Sequence, residues 1–180
     1  YWFENFIYKK ASLINVLTPA FRDKLIEKGV PKEKICFIPN AADFSLAEAV
    51  QNNFDAQEFK AKLGFKDKFV ITYVGAHGVA NHLIQLVEAA QELQDTQVVF
   101  QLIGSGMQKQ MLKNEVERRN LNNVIFRDPV PKSEVFKYIL ASDMGASVLK
   151  NVDTFKTIYY NNPFDYMSCK KPILLAIDGV

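Results

Sequence analysis

The chain has 180 residues, 48% of them hydrophobic and 23% charged, with a formal net charge of +2. That length holds one full domain and part of another, and the composition is that of an ordinary globular protein. The near-neutral balance carries no basic block, which argues against a nucleic-acid partner. The two cysteines, Cys36 and Cys169, form no C-x-x-C pair that would argue for a metal site, and no apolar run reaches the roughly 18 residues needed to cross a bilayer.

The opening residues, Tyr1-Trp2-Phe3-Glu4-Asn5, lack the basic and apolar regions of a secretion signal, so the chain reads as cytoplasmic. Leu13 to Leu17 has the β-branched character of a strand. Thr18-Pro19 then opens a helix, with Thr as N-cap and Pro at the first helical position, and Gly29 and Pro31 close it. Ile35 to Ile38 is a second strand, followed by Pro39-Asn40-Ala41-Ala42-Asp43. The expected division is residues 1–43 as a remnant of an amino-terminal domain and residues 44–67 as a polar linker with one helix over Phe54 to Leu63. Residues 68–180 then form a Rossmann-like domain.

From Lys68 onward, short apolar runs alternate with amphipathic helical stretches. The strands are Phe69 to Val74, Val98 to Ile103, Val124 to Phe126, Met144 to Val148 and Ile173 to Ala176. Each is apolar on both faces, the pattern of buried parallel strands. Between them, Leu83, Ile84, Val87 and Ala90 form one apolar stripe, with His82 inside that helix. Met111, Leu112 and Val116 form a second, and Ser133 to Leu140 supply a third helix. The alternation predicts a doubly wound α/β fold with a parallel sheet. Ile177-Asp178-Gly179-Val180 ends the sequence in a loop behind a strand, so the domain is expected to be truncated there.

In such a sheet, ligands bind where the strand order reverses, at the carboxyl ends of the strands. The first strand of this region runs into Gly75-Ala76-His77-Gly78, the second into Gly104-Ser105-Gly106, and the fourth into the long segment Leu149 to Asn162. Glycines at strand ends before helix starts let backbone amides approach an anion, and a diphosphate suits them; tight turns are the competing explanation. Gly104-Ser105-Gly106 lacks the third glycine of a dinucleotide fingerprint, and no Gly-Lys-Ser/Thr of a P-loop occurs. His77 is a candidate donor to a phosphate or sugar hydroxyl, or a packing residue. Lys109 is a candidate phosphate cation, or a surface lysine. Pro163 is expected to start a short helix, with Asp165 in its first turn. There Asp165 either accepts the two hydroxyls of a ribose diol or caps the helix.

At these residues the chain resembles the family 4 glycosyltransferases of the two-domain GT-B fold. It resembles most the bacterial surface-polysaccharide branch that includes transferases of N-acetyl-L-fucosamine type. The landmarks are Ile38-Pro39-Asn40-Ala41-Ala42-Asp43, Tyr73-Val74-Gly75-Ala76-His77-Gly78, Leu102-Ile103-Gly104-Ser105-Gly106, Asn123 to Phe126, Ala141-Ser142-Asp143, and Phe164 to Ile173. The resemblance implies the carboxyl-terminal, donor-binding part of a retaining hexosyl- or N-acetylhexosaminyltransferase. Its donor would be a nucleotide diphosphate sugar, UDP-linked ahead of GDP-linked. It implies no metal and no further cofactor, because helix dipoles and cations stabilise the leaving diphosphate.

Carried over by position, Asp165 stands at the ribose-binding acid of the Glu-x7-Glu motif, and Gly75 to Gly78 face the diphosphate. Arg127 to Val130 read the base edge through backbone groups. Thr157 replaces the motif's first Glu, Asn162 stands where this branch often has Lys, and the Gly-Arg…Lys-Gly phosphate grip is absent. Lys156, His77 and Lys109 are then the candidates for the leaving-group cation, and Gly104 and Gly106 complete the expected substrate contacts. The resemblance extends to a glycan or lipid-linked acceptor held by an amino-terminal domain outside this chain, and to peripheral association of the parent enzyme with the inner face of the membrane. On this reading the piece is inactive alone. The alternatives are another GT-B enzyme, such as a sugar-nucleotide epimerase, and a non-catalytic nucleotide-binding module.

Overall fold

A computed structural model describes residues 1–177; the expected terminal loop over residues 178–180 lies outside the described residues. The chain divides into two units, residues 1–41 with 151–160, and residues 42–150 with 161–177.

The first unit contains α1 (Trp2–Lys10), β1 (Ile14–Val16), α2 (Pro19–Glu27) and β2 (Ile35–Phe37), with β1 and β2 paired in parallel. Helix α1 was not among the elements expected from the sequence. Its apolar residues Trp2, Phe3, Phe6 and Ile7 recur at helical spacing but remain exposed, with Trp2 stacked on Phe6. Instead Glu4 in its first turn accepts a hydrogen bond from Tyr8 and pairs with Lys28, and Lys9 and Lys10 sit at the end that favours positive charge. Helix α2 starts as its sequence predicts: the Thr18 hydroxyl accepts from the Phe21 amide at 3.2 Å, with Pro19 at the first position. Val16, Leu25 and Val30 form the small core of this unit. Residues Asp153–Thr157 form a 3-10 turn.

The second unit runs α3 (Phe44–Gln51), α4 (Ala56–Lys62), β3 (Phe69–Val74), α5 (Ile84–Glu92), β4 (Val98–Ile103), α6 (Lys109–Arg118) and β5 (Val124–Arg127). It continues with α7 (Lys132–Leu140), β6 (Met144–Val148), α8 (Asn161–Ser168) and β7 (Ile173–Ala176). Residues 44–67 thus form two helices where the sequence suggested one. Two aspartates explain the break. Asp43 caps α3 by accepting from the Leu46 amide, and Asp55 starts a fresh helix by accepting from the amides of Gln57 and Glu58, both at 2.9 Å.

The five strands form one parallel sheet in the order β5-β4-β3-β6-β7, so the order reverses at β3 and β6, as the alternation predicted. The pleat sends Ile71 and Tyr73 to one face and Val70 and Thr72 to the other. On the first face, Ile71, Tyr73, Phe100 and Leu102 pack with Leu86, Val87 and Ala90 of α5 and with Leu112 and Val116 of α6. A second cluster joins Ala47 of α3, Phe136 and Ile139 of α7, and Tyr166 of α8. Each fully buried side chain of Leu or Phe size contributes about 1.5–3 kcal/mol to this packing. The sheet also carries buried polar groups that are satisfied in sequence. Arg127 donates to Gln101, Gln101 donates to Thr72, and Thr72 shares a hydrogen bond with Ser142. Lys60 pairs with Asp143 at 2.7 Å, and the Val70 amide donates to the same carboxylate oxygen.

Two local expectations are corrected. Helix α8 begins at Asn161, so Pro163 is its third residue and Asp165 lies beyond the first turn. The amides of a helix's first four residues have no intrahelical partner, so proline fits at the third position as well as at the first. His82 precedes α5 instead of lying inside it, with a left-handed φ of 46° and its Nδ1 2.8 Å from the Gln85 side-chain amide.

Candidate functional site

The loops after β3 and β4 are zipped together by their backbones. The Gly75 amide donates to Ile103, His77 donates to Ser105 at 2.8 Å, Gln108 donates to His77 at 2.9 Å, and Gly104 donates to Arg127. This approach is closer than any side chain would permit. A Cβ on Gly104 would fall on the Gly75 carbonyl oxygen, and one on Gly106 would stand 2.5 Å from the His77 carbonyl oxygen. Both glycines also have φ values, 146° and 155°, that L-residues rarely adopt.

A cavity of about 300 Å3 opens at this edge of the sheet, lined by Val74, Gly75, Ala76, Ile103, Gly104, Ser105, Pro129, Val130 and Val135. It lies at the carboxyl edge of the sheet, where ligands of such folds bind, but over the ends of β3, β4 and β5, and no residue of β6 lines it. Its walls are mostly apolar. The backbone amides of Ala76, Gly78, Ser105 and Gly106, however, have no hydrogen-bond partner among the described residues. Apolar walls with convergent unpartnered amides suit a ligand that carries both a flat apolar body and an anion.

Of the candidate residues, Gly75, Ala76, Gly104 and Val130 line this cavity, and Gly78 and Gly106 belong to the same pair of loops. His77 lies beneath, fully buried between the rings of Tyr73 and Phe126, with neither ring nitrogen hydrogen-bonded. Burial, reinforced by the nearby Lys109 ammonium, pushes its pKa down to about 4, so the ring is neutral at pH 7. Lys109 turns back into the fold. Its ammonium donates to the carbonyls of Gly104 and Arg127 and pairs with Asp128, at 2.8, 2.9 and 2.8 Å, and this contact holds the Asp128 carboxyl below its ordinary range. Arg127 is likewise engaged, bonded to Gln101 and stacked near the rings of Phe65 and Tyr138.

Asp165 is paired with Lys132, its two oxygens 2.5 and 2.6 Å from the ammonium. Lys132 stands at the start of α7, two residues after Val130 of the cavity wall, and was not recognised from the sequence. Tyr166 was also missed. Its buried hydroxyl donates to the Ala146 carbonyl and accepts from the Val74 amide, tying α8 to the mouths of β3 and β6. Lys156 and Thr157 belong to the 3-10 turn of the first unit, where Lys156 pairs with Asp153 at 3.2 Å. Among the described residues no group of three or more His, Cys, Asp or Glu side chains could hold a metal ion, and no helix is long and apolar enough to cross a membrane.

Fold and site together define a Rossmann-like parallel α/β domain of the kind that makes one half of a two-domain GT-B fold. Residues 55–150 match the family model of glycosyl transferases group 1, and the chain belongs to that family. It is 30% identical over 114 residues to the putative colanic acid biosynthesis glycosyl transferase WcaI of Escherichia coli (strain K12), a match covering 63% of this chain and 28% of WcaI. Among solved structures it is similar to Anabaena Alr3699/HepE in complex with UDP (TM-score 0.78, 20% identity, 97% of this chain and 47% of that one). The complex of the same protein with UDP-glucose gives a TM-score of 0.75 at 21% identity, with the same shares covered. A glycosyltransferase from Rickettsia africae is similar over 99% of this chain and 49% of its own, with a TM-score of 0.78 and 14% identity. The chain therefore spans about half the length of these structures, and less of WcaI.

Proposed function

We propose that this chain is the donor-binding, carboxyl-terminal part of a retaining GT-B glycosyltransferase. The parent enzyme transfers a hexosyl or N-acetylhexosaminyl group from a UDP-sugar to a glycan or lipid-linked acceptor during surface-polysaccharide synthesis. The observation that carries the reading is the apolar cavity at the carboxyl ends of β3, β4 and β5, whose lining includes Ala76 and Ser105, two residues with unpartnered backbone amides. The UDP and UDP-glucose held by the similar Anabaena protein, and the polysaccharide role named for WcaI, support the choice of donor and process.

In this reading the uracil lies against Pro129 and Val130, and the diphosphate meets the amides of Ala76, Gly78, Ser105 and Gly106. Oriented amides in a partly dry site stabilise charge developing on the leaving group without reorganising. Asp165 takes the ribose hydroxyls, which requires Lys132 to release it. That pair is partly exposed, so breaking it costs only about 1 kcal/mol. Neutral His77 and the engaged Lys109 are poor sources of leaving-group charge, so in this reading the backbone amides of the two loops carry that role. The acceptor is held by an amino-terminal domain outside this chain, so the piece binds donor but does not turn it over.

Titration calorimetry with UDP, GDP and NAD tests the proposal. UDP is expected to bind, GDP to bind more weakly, and NAD not at all. Binding of NAD with no response to UDP or GDP would overturn it.

A further inference from the structure

A second cavity, about 370 Å3, opens at the other edge of the same sheet, where the strands begin. It lies between the α3–α4 junction and the turn from α8 into β7, and Gln51, Phe54, Ala56, Gln57, Leu140, Cys169, Lys170 and Lys171 line it. Phe54, Ala56 and Leu140 give it an apolar floor. Its polar wall is unpartnered. The side chains of Gln51, Gln57, Lys170 and Lys171 make no hydrogen bond or ion pair with any described residue, although each carries donors.

The charge balance here is one-sided. Lys171 is half-buried, and the loss of water pushes its pKa down. The carboxylate that acts on it, Asp143, is already committed to the Lys60 ammonium and the Val70 amide, and Lys60 itself repels Lys171. Two other acids stand near: Asp55 turns its carboxylate to the amides of Gln57 and Glu58 as the cap of α4, and Asp165, which acts on Cys169, is paired with Lys132. Cys169 supplies no negative charge, because burial pushes its thiol up to about 12. A partly desolvated ammonium without its own counter-charge is costly, and a bound anion removes that cost.

We propose that this cavity binds a small oxyanion, a carboxylate or phosphate on a short body. Lys171 is its main counter-charge, Lys170 stands at the rim, and the amides of Gln51 and Gln57 are neutral donors. The apolar floor takes the body of the ligand, in the arrangement common to small-molecule sites. The site is separate from the proposed nucleotide-sugar cavity and does not depend on that assignment.

The test is amide NMR of the isotope-labelled chain titrated with inorganic phosphate and, separately, with succinate, at constant ionic strength. Saturable shifts are expected at the amides of Gln51, Gln57, Lys170 and Lys171, with at least tenfold weaker binding in Lys171→Gln and about threefold weaker binding in Gln57→Ala. A response to phosphate alone assigns a phosphate ligand, and one to succinate alone a carboxylate. Shifts that never saturate, shifts confined to the Gly75–Gly106 loops, or unchanged affinity in both variants would overturn the proposal.

Discussion

His77 Nε2 lies directly behind Gly104, 3.3 Å from where a Cβ on that glycine would stand. Gly104 is itself part of the cavity wall, and its missing side chain is what lets the imidazole sit so close behind it. A Cβ at Gly104 would also collide with the Gly75 carbonyl, a backbone group with no room to yield. Gly104→Ala should therefore lower stability by about 1–3 kcal/mol, the usual cost of overpacking. It should also abolish UDP binding, because the two loops can no longer close. Denaturant unfolding and calorimetry on the same variant check both effects. A stable variant that binds UDP normally would show that the close approach does not shape the site.

The same histidine gives the fold a pH signature. Its folded pKa of about 4 lies below the ordinary 6.5, so the unfolded chain takes up the proton first as pH falls. Stability should be flat above pH 6.5 and decline as pH falls from 6.5 towards 4, by up to about 3 kcal/mol for a shift of that size. Since neither ring nitrogen has a partner, His77→Leu should keep the fold and flatten this slope. Urea unfolding across that pH window measures it, and an equally steep slope in the variant would assign the effect to other groups.

The central strands β3, β4 and β6 were legible because burial on both faces leaves mostly apolar runs, whereas the edge strand β7 keeps its apolar run although Leu174 and Leu175 are exposed. The switch of strand order and the carboxyl edge that carries the cavity followed from their alternation with helices, but the cavity's place over β3, β4 and β5 did not. Helix α1 carries a legible apolar spacing in Trp2, Phe3, Phe6 and Ile7, but that stripe stays exposed, and the contacts that hold the helix are Glu4 with Tyr8 and Lys28 and Tyr8 against the small core. The start of α8 was misread because Pro163 satisfies the first turn at its third position as well as at its first. Within the site, the glycines were visible but their reason was not, since Gly104 and Gly106 answer to a loop about 30 residues away. The engagement of Lys109 with three acceptors and the pairing of Asp165 with Lys132 are likewise tertiary facts.

Tyr166 couples the packing of α8 to the cavity through a single oxygen. Tyr166→Phe keeps the ring against Gly145 but leaves the Val74 amide and the Ala146 carbonyl without that partner. Each buried group left unsatisfied costs about 1–3 kcal/mol, so a loss of at least that order in unfolding free energy is expected. Because Val74 lines the cavity, UDP affinity should fall as well, by about threefold to tenfold. A stability loss with unchanged UDP affinity would separate the α8 packing from the site.

Lys132 and Asp165 make opposite predictions for the two ends of one ion pair. If Asp165 receives the ribose hydroxyls, Lys132 competes with the ligand for the same two oxygens. Asp165→Asn should then weaken UDP binding by tenfold or more, since an amide cannot accept both hydroxyls. Lys132→Gln should leave UDP binding unchanged or tighten it severalfold, by freeing the carboxylate. The pair is partly exposed, so neither change should move stability by more than about 1 kcal/mol. Calorimetry with UDP and with uracil separates the ribose contribution, because uracil lacks the diol and should bind both variants and the parent alike. Equal losses of UDP affinity in the two variants would instead mean that the intact ion pair, and not the free carboxylate, builds the site.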